Sequence, residues 1–412
     1  MKSKIVGIFI CMLLIGTVVS VVNSVSACTG FTAIDGENVL VGNNEDWHLP
    51  DPYIRVQPPE GDKNGYLIFE YGYPLPWDPN FVRPFGGMND KGLFFDAFGT
   101  PEDKIKFDAS KPLLLYDPTL YIMEELSTVD EVVNYIQSYN IWLLGFLGFN
   151  NVQFFWADKT GNSVIIEGND IVYREGDFQV VTNFYQTHPE LGNYPCWRYD
   201  TAVSMLENMT DLSVYYFRDI CNATHQEYNM HPTQYSYIYD LKNGIIYLYH
   251  YHDYENMIEF NLQEEFLKGE NYYFLPSLFE PENNQPPAKP NPPTGKISGN
   301  VKTSYSYKVD DTTDPDNNME EIYYMFDWGD GTFSQLYNRY YIGYGFVTHE
   351  WKKQGNYNVR VKAKDIYGAE SEWSDPLGIS MPKTKVISLQ LFLQRFFQRF
   401  PFFEKIINQI II

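Results

Sequence analysis

The chain has 412 residues, with 53 Asp and Glu against 30 Lys and Arg and a formal net charge of −23. That balance excludes a nucleic-acid partner, because phosphate binding needs Lys and Arg; here the acidity serves to keep the chain soluble. The length exceeds one ordinary domain and predicts two.

The N-terminus carries Lys2 and Lys4, then an apolar stretch from Ile5 to Val22, then Asn23-Ser24 and the small-residue run Val25-Ser26-Ala27. This layout predicts a secretory signal peptide over 1–27, cleaved after Ala27, and a secreted, extracellular or cell-surface protein. The stretch is long for a signal, and an uncleaved anchor is the alternative. Cys28 follows at once. It is either the first residue of the mature chain, a thiol with its own α-amine, or a lipobox cysteine that carries lipid.

From 28 to about 280 the chain reads as one domain. Strand-like runs come first: "GFTAI", "NVLVGN", "GYLIFEY" and "GLFFDAF". Thr128-Val129-Asp130-Glu131 forms a capping box, and Val129, Val132, Val133 and Ile136 share one helical face. Strands return at "VQFFWAD", "SVIIEG", "DIVYR" and "FQVVTNF", and a second helix is predicted at about 197–208. Lys242-Asn243-Gly244 predicts a hairpin turn inside "YSYIYDLKNGIIYLYHY". Grouped strands and grouped helices predict a layered α+β domain rather than alternating βαβ units.

Residues 281–293, "PENNQPPAKPNPP", read as an extended Pro-rich linker. The stretch 294–382 is all strand and turn, which predicts a β-sandwich. Its "YYMFDWGDGTFS", "VTHEWKKQGNYNVRVKAKDIYGAES" and "WSDPL" resemble a polycystic-kidney-disease (PKD)-type domain, an immunoglobulin-like sandwich. Such domains serve as spacers or adhesive modules. The tail, 383–412, is apolar and broken by Pro401, with neither half long enough to span a bilayer. This tail and the second domain are the candidates for contact with a membrane or cell surface.

Beyond Cys11 in the leader, Cys28, Cys196 and Cys221 remain. Cys196 and Cys221 are either a disulfide that leaves Cys28 as the odd thiol or two buried cysteines. No cofactor and no metal are expected. His250 and His252 lie two apart in an aromatic strand without a third ligand at zinc spacing. Asp310, Asp311, Asp314, Asp316, Asp327 and Asp330 fit no EF-hand loop and read as a solvated acidic rim.

A mature N-terminal cysteine holds a thiol and an α-amine with pKa values of about 8.5 and 7.7–8.0, so the amine can take the thiol proton and later return one to a leaving nitrogen. The motif "VGNNEDW", one hairpin on, brings Asp46 toward Cys28. Taken in order, "CTGFTAIDGENVLVGNNEDW", "GMNDKGLFFDAF", "VVTNF" and "CWRYDTA" resemble the choloylglycine hydrolase and penicillin acylase superfamily of N-terminal-nucleophile (Ntn) hydrolases, which includes acyl-CoA:6-aminopenicillanate acyltransferases. The resemblance implies an αββα sandwich and cleavage of a linear amide C–N bond in a small molecule. It assigns Cys28 as nucleophile, Asp46 as the carboxylate orienting its amine, Asn183 as an oxyanion donor and Arg198 as a supporting cation. Asn43 stands where bile-salt hydrolases carry arginine. Gly99 stands about where they carry an asparagine, leaving a backbone N–H of Gly99 or Thr100 as the expected substitute donor. Both departures point to a linear-amide hydrolase or acyltransferase rather than a bile-salt hydrolase. A strand follows Cys28 directly, without the polar tether of a lipoprotein, which favours the nucleophile. A catalytically silent surface lipoprotein or adhesin anchored at Cys28 is the competing class.

Overall fold

The computed structural model describes residues 28–72, 82–101, 105–141, 151–227, 229–316, 322–343, 345, 347–382 and 398–399. The predicted signal peptide lies outside the described residues, as does the predicted tail apart from positions 398–399. The described residues are mostly strand with few helices. They fall into two compact units: one ends at Gln285 and also takes in Asp365–Ala369, and the other holds Pro286–Lys364 and the described residues from Glu370 on.

In chain order the first unit contains β1 (Thr29–Ile34), β2 (Val39–Asp46), β3 (Pro52–Gln57), β4 (Tyr66–Gly72), β5 (Val82–Asn89), β6 (Leu93–Gly99), α1 (Thr119–Glu125), α2 (Val129–Ser138), β7 (Val152–Asp158), β8 (Ser163–Glu167), β9 (Asp170–Tyr173), β10 (Phe178–Val181), α3 (Trp197–Glu207), α4 (Val214–Thr224), β11 (Thr233–Asp240), β12 (Ile245–His250), β13 (Asp253–Asn261), α5 (Leu262–Leu267) and β14 (Asn271–Phe274). They form a six-stranded sheet, β10-β1-β2-β11-β12-β13, and an eight-stranded sheet, β14-β3-β4-β5-β6-β7-β8-β9.

One apolar core lies between the two sheets, where Cys28, Val39, Val41 and Tyr237 meet Ile54, Phe69, Phe94 and Phe98. A second joins Phe31, Ala33 and Leu40 of the six-stranded sheet to Ala202, Leu206, Phe217 and Ile220 of α3 and α4. A third joins Ile68, Phe95 and Trp156 of the other sheet to Ile122, Val129 and Val132 of α1 and α2. Central strands therefore bury both faces, which is why "GLFFDAF" reads as one apolar run instead of alternating.

Local signals explain the helices. At α2, Thr128 accepts from the Glu131 N–H and the Glu131 carboxylate accepts from the Thr128 N–H at 3.0 Å, so the capping box is formed. At α3 the buried residues Arg198, Ala202 and Leu206 recur every four positions. At α4 the Ser213 hydroxyl caps the start by accepting from the Tyr216 N–H, and Phe217, Ile220, Cys221 and Thr224 face inward. The hairpin between β11 and β12 turns at Gly244, whose φ of 67° suits glycine.

The second unit contains β15 (Thr294–Gly295), β16 (Ser304–Lys308), β17 (Tyr323–Asp327), β18 (Tyr337–Asn338), the short helix α6 (Arg339–Gly343), β19 (Thr348–Glu350), β20 (Gly355–Lys364) and β21 (Leu377–Met381). A three-stranded sheet, β15-β16-β19, and a four-stranded sheet, β18-β17-β20-β21, share a core of Tyr307, Phe326, Trp328, Trp351, Val359 and Val361. The helix corrects the reading of this unit as strand and turn alone. In the Trp328-Gly329-Asp330-Gly331 turn, a side chain at Gly329 would strike the Asn358 backbone. Asp327 accepts from the Gly329 N–H and pairs with Arg360; Asp330 accepts from Thr332 and lies 2.9 Å from His349. Asp327 is buried within the turn and departs from the solvated-rim reading, while Asp330 is exposed as that reading expects.

Candidate active site

The site is built on β2 and its two neighbours. The β1–β2 register pairs Thr29 with Asn44 and Gly30 with Asn43, so one step further Cys28 stands opposite Glu45. On the other side β11 pairs Tyr235 with Glu45 and Tyr237 with Asn43. Side chains alternate along a strand. Val39 and Val41 face the second sheet, so Asn43 and Glu45 share that face with the Cys28 thiol. Leu40, Asn44 and Asp46 take the helix side. Leu40 packs with α3 and α4, and Asn44 donates to the Cys221 carbonyl at 2.9 Å.

Arg198, near the start of α3, gathers the residues assigned by resemblance. Its Nη1 donates to the Cys28 carbonyl oxygen at 2.6 Å and to Thr29 Oγ1 at 2.8 Å, and lies 3.7 Å from Asp46 Oδ2. Its Nη2 donates to Asn183 Oδ1 at 3.0 Å. That bond fixes which end of the Asn183 amide is oxygen, since a guanidinium only donates. The Asn183 Nδ2 donates one hydrogen to the Gly99 carbonyl at 2.8 Å and carries a second. Cys28, Asp46, Asn183 and Arg198 are thus one connected, buried group.

Asp46 approaches Cys28 in a way the sequence did not specify. The thiol donates toward the Asp46 backbone carbonyl, with Sγ 3.8 Å away, while the carboxylate sits on the opposite face of β2. There it accepts from Thr233 Oγ1 and from Gln226 Nε2, the latter at 2.7 Å. Burial pushes its pKa up to about 7, against the pull of Arg198 and those hydrogen bonds. The carboxylate is thus linked to the Cys28 backbone through Arg198 and lies on the face of β2 away from the thiol.

The substitute donor expected at Thr100 is also corrected. The Thr100 N–H already donates to the Asn151 carbonyl at 2.8 Å, and its hydroxyl donates to Tyr185 at 2.8 Å. Cys196 and Cys221 form no disulfide. Cys196 precedes α3, while Cys221 is fully buried in α4, where burial pushes its thiol pKa up.

Sequence reasoning missed two carboxyls on the thiol's own face. Glu45 is fully buried and neither of its carboxylate oxygens has a hydrogen-bond partner among the described residues. Burial, then the nearby Asp96 and Asp46 charges, hold its pKa well above the usual carboxylate range, opposed by the donor groups of the Cys28 and Asn43 side chains, which lie close by without forming hydrogen bonds of good geometry. Asp96, from β6 of the facing sheet, accepts from the Tyr237 hydroxyl and from the Ala97 N–H, and burial raises its pKa to about 8. Glycine at 86 makes room for Tyr237: a Cβ there would run into its hydroxyl. The signal for Glu45 was the alternation within "NNED", which separates it from Asp46 and puts it beside the thiol. For Asp96 it was one carboxylate inside the apolar run "GLFFDAF".

Two other features lie apart from the thiol. His252 is not in a strand beside His250 but in a turn, with φ of 62°, and with His225 and Glu227 it brings three ligand atoms within 4.8 Å of one another. The two imidazoles stack, with centroids 5.0 Å apart and planes 28° apart, so their in-plane lone pairs run side by side rather than converging. An apolar pocket lined by Ile105, Ile122, Ile136, Phe154 and Trp156 sits on the helix side of the eight-stranded sheet, not on the face that meets Cys28.

The molecule thus joins a two-sheet unit, with a buried cysteine at the head of its first strand, to a small two-sheet sandwich. The model of the PKD domain family matches residues 300–375. The PKD domain of an M14-like peptidase from Thermoplasmatales archaeon SCGC AB-540-F20 is 42% identical, over 24% of this chain and 99% of that one, with a TM-score of 0.20 for the whole chain. The chain belongs to the PKD domain family through this segment. Two solved structures of conjugated bile acid hydrolase from Clostridium perfringens are also similar. One, a variant with leucine in place of an arginine, is 16% identical with a TM-score of 0.47. The other, a mutant with alanine in place of a cysteine, is 17% identical with a TM-score of 0.45. Each similarity covers 60% of this chain and 96% of the other. No curated protein matches the chain.

Proposed function

We propose that the first unit is an αββα-layered Ntn hydrolase of a linear amide, exported and cut after Ala27 so that Cys28 becomes its nucleophile. The observation that carries this reading is the Arg198 guanidinium, which ties the Cys28 backbone, the Asn183 amide and the Asp46 carboxylate into one buried group. One cation holds three groups around one thiol, at the edge of a predicted cleavage site. The packing of helices outside two facing sheets supports the layering, and the motif order from Cys28 to Arg198 supports the family.

In this mechanism the α-amine of Cys28 takes the thiol proton, and the thiolate attacks the amide carbonyl carbon. The second hydrogen of Asn183 Nδ2 meets the developing oxyanion, a contact of the kind worth about 10²–10³ in rate. The ammonium returns the proton to the leaving nitrogen, the C–N bond breaks and a thioester remains. The amine then activates water, which cleaves the thioester to acid and free thiol. Arg198, at the Cys28 carbonyl, holds the nucleophile's backbone in place. Export suits a chain with a PKD domain, and among the described residues no helix is long and apolar enough to cross a membrane.

The test is a panel of N-acyl amides, penicillin V and dipeptides offered to the exported protein and its Cys28→Ser variant, with intact mass read in parallel. Cleavage that disappears in a folded Cys28→Ser protein, from a chain starting at unmodified Cys28, supports the reading. Cleavage that persists in the variant, or a lipid-modified Cys28, overturns it.

A further inference from the structure

The face of β2 that meets the thiol is unusual in what it lacks. In this layer between two sheets, Glu45 Oε1, Glu45 Oε2 and Asn43 Oδ1 all accept nothing among the described residues. Asp96 adds a second carboxyl from the facing sheet, and the Tyr235 hydroxyl, beside Glu45, also has no hydrogen-bond partner among the described residues. Neither Glu45 nor Asp96 has an ion pair among the described residues, and Arg198 is spent on the opposite face. A buried acceptor left unpaired is destabilising, and more so when it is charged. Such a set is stable only with its carboxyls neutral or with a cation present.

Backbone nitrogens of a strand lie in the plane of its sheet, while the Glu45 carboxyl stands out from the sheet on the thiol side. Directly opposed residues have Cβ atoms about 4.5–5.5 Å apart. Glu45 therefore faces whatever group lies against the Cys28 sulfur.

We infer that this face is a cation-accepting subsite, and that the substrate is an amide carrying an ammonium group close to its scissile bond. This rests on Cys28 being the nucleophile. An ammonium has three hydrogens to donate, and Glu45 and Asn43 supply three unfilled acceptor atoms. Burial and then the Asp96 charge raise the Glu45 pKa; an arriving cation favours its ionised form. An anionic group at the same place meets the Glu45 and Asp96 carboxyls. The ammonium belongs either to the acyl part or to the leaving amine, and the structure fixes the chemistry rather than the side.

Two measurements on the exported protein test this. In the first, Cys28 is modified with methanethiosulfonates bearing aminoethyl, methyl or sulfonatoethyl groups, and rates are read by peptide mass at Cys28. The aminoethyl reagent should react at least about ten-fold faster than the sulfonatoethyl one, and the ratio should fall toward one in Glu45→Gln and shrink in Asp96→Asn. Equal rates, a faster anion, an unchanged ratio in both variants, or no modification of Cys28 by any reagent overturns the proposal. In the second, 4-aminobutyryl-, butyryl- and succinyl-p-nitroanilide vary the acyl charge, and the phenylacetamides of 1,2-diaminoethane, propylamine and glycine vary the leaving amine. The cationic member should lead in one set, which identifies the side; a neutral or anionic lead in both overturns the proposal. If no amide is cleaved but the reagent ratio holds, the hydrolase reading fails while the subsite stands.

Discussion

The Arg198 guanidinium donates to the backbone carbonyl of Cys28 at 2.6 Å, linking residues 170 positions apart in the chain. A buried cation thus supports the residue before the first strand by its backbone and leaves the side chain for other contacts. The same guanidinium lies near the Asp46 carboxylate, which is fully buried. Position and charge at the site depend on one residue.

Arg198→Ala should therefore damage both fold and activity. Removing one partner of a buried charged pair costs about 3–5 kcal/mol. Arg198→Lys keeps the charge but loses the fork that reaches Cys28 and Asn183 together. The lysine variant should fold with a lowered urea midpoint and lose at least about ten-fold in kcat/KM. A lysine variant with unchanged kcat/KM would show that the guanidinium fork has no part in the reaction.

Asn183→Asp removes the Nδ2 donor with little change in shape. The introduced carboxylate accepts from Arg198 as before but faces the Gly99 carbonyl without a hydrogen to donate, so the folded protein should be recovered with a lowered urea midpoint. The developing oxyanion would meet an acceptor, and kcat should fall by about 10²–10³. KM should move far less. A drop confined to KM would place Asn183 in substrate binding instead.

Gly86→Ala tests the close approach across the two sheets. The added methyl would run into the Tyr237 hydroxyl, which donates to Asp96. Overpacking of this kind costs about 1–3 kcal/mol. Pairing Gly86→Ala with Tyr237→Phe should recover part of that loss, because the clashing oxygen is gone. A fully stable Gly86→Ala protein would mean that the two strands separate easily there.

Stability should fall as pH rises from about 6.5 to 8. Asp46 and Asp96 are raised to about 7 and 8, and Glu45 lies well above its usual range, so the folded chain holds protons that the unfolded chain has already released. Below 6.5 the buried histidines oppose this. His48 and His250 are lowered to about 3, and His231 and His252 to about 4, so the unfolded state binds their protons first and stability there gains with pH. Above 6.5 the histidine contribution fades over about one pH unit while the acids continue to act, each contributing up to about 1.4 kcal/mol per pH unit. Urea midpoints read by pulse alkylation of the buried Cys221 should drop across that window, and less steeply in Asp96→Asn. A flat profile would contradict the raised carboxyls.

Much of this arrangement was legible before any coordinates. The β1–β2 hairpin, the capping box at Thr128 and the Asn243-Gly244 turn all use local chemistry that a short window displays. Strand β5 was missed because Pro84, Gly86 and Gly87 look like breakers. The structure explains them: Pro84 sits at a register shift opposite Glu70, Gly86 clears Tyr237, and Gly87 clears the Leu67 carbonyl. Helix α4 was missed because its aromatic residues mask a helical stripe. Motif order led to Asp46 and Arg198. Glu45 and Asp96 were not found, because their meaning depends on which residues of the other sheet face them, and that is a long-range fact.

The most direct test of the account compares kcat/KM between the protein that begins at Cys28 and one that retains Ala27, with mass spectrometry confirming that the extra residue persists. Retention converts the α-amine into an amide, which cannot serve as a base, and leaves the thiol and Arg198, Asn183 and Asp46 in the sequence. If the amine is the working base, kcat/KM on any amide the protein cleaves should fall by about 10²–10⁴-fold. An Ala27-retaining protein with undiminished kcat/KM would contradict the N-terminal-nucleophile mechanism, even if Cys28 itself proved essential.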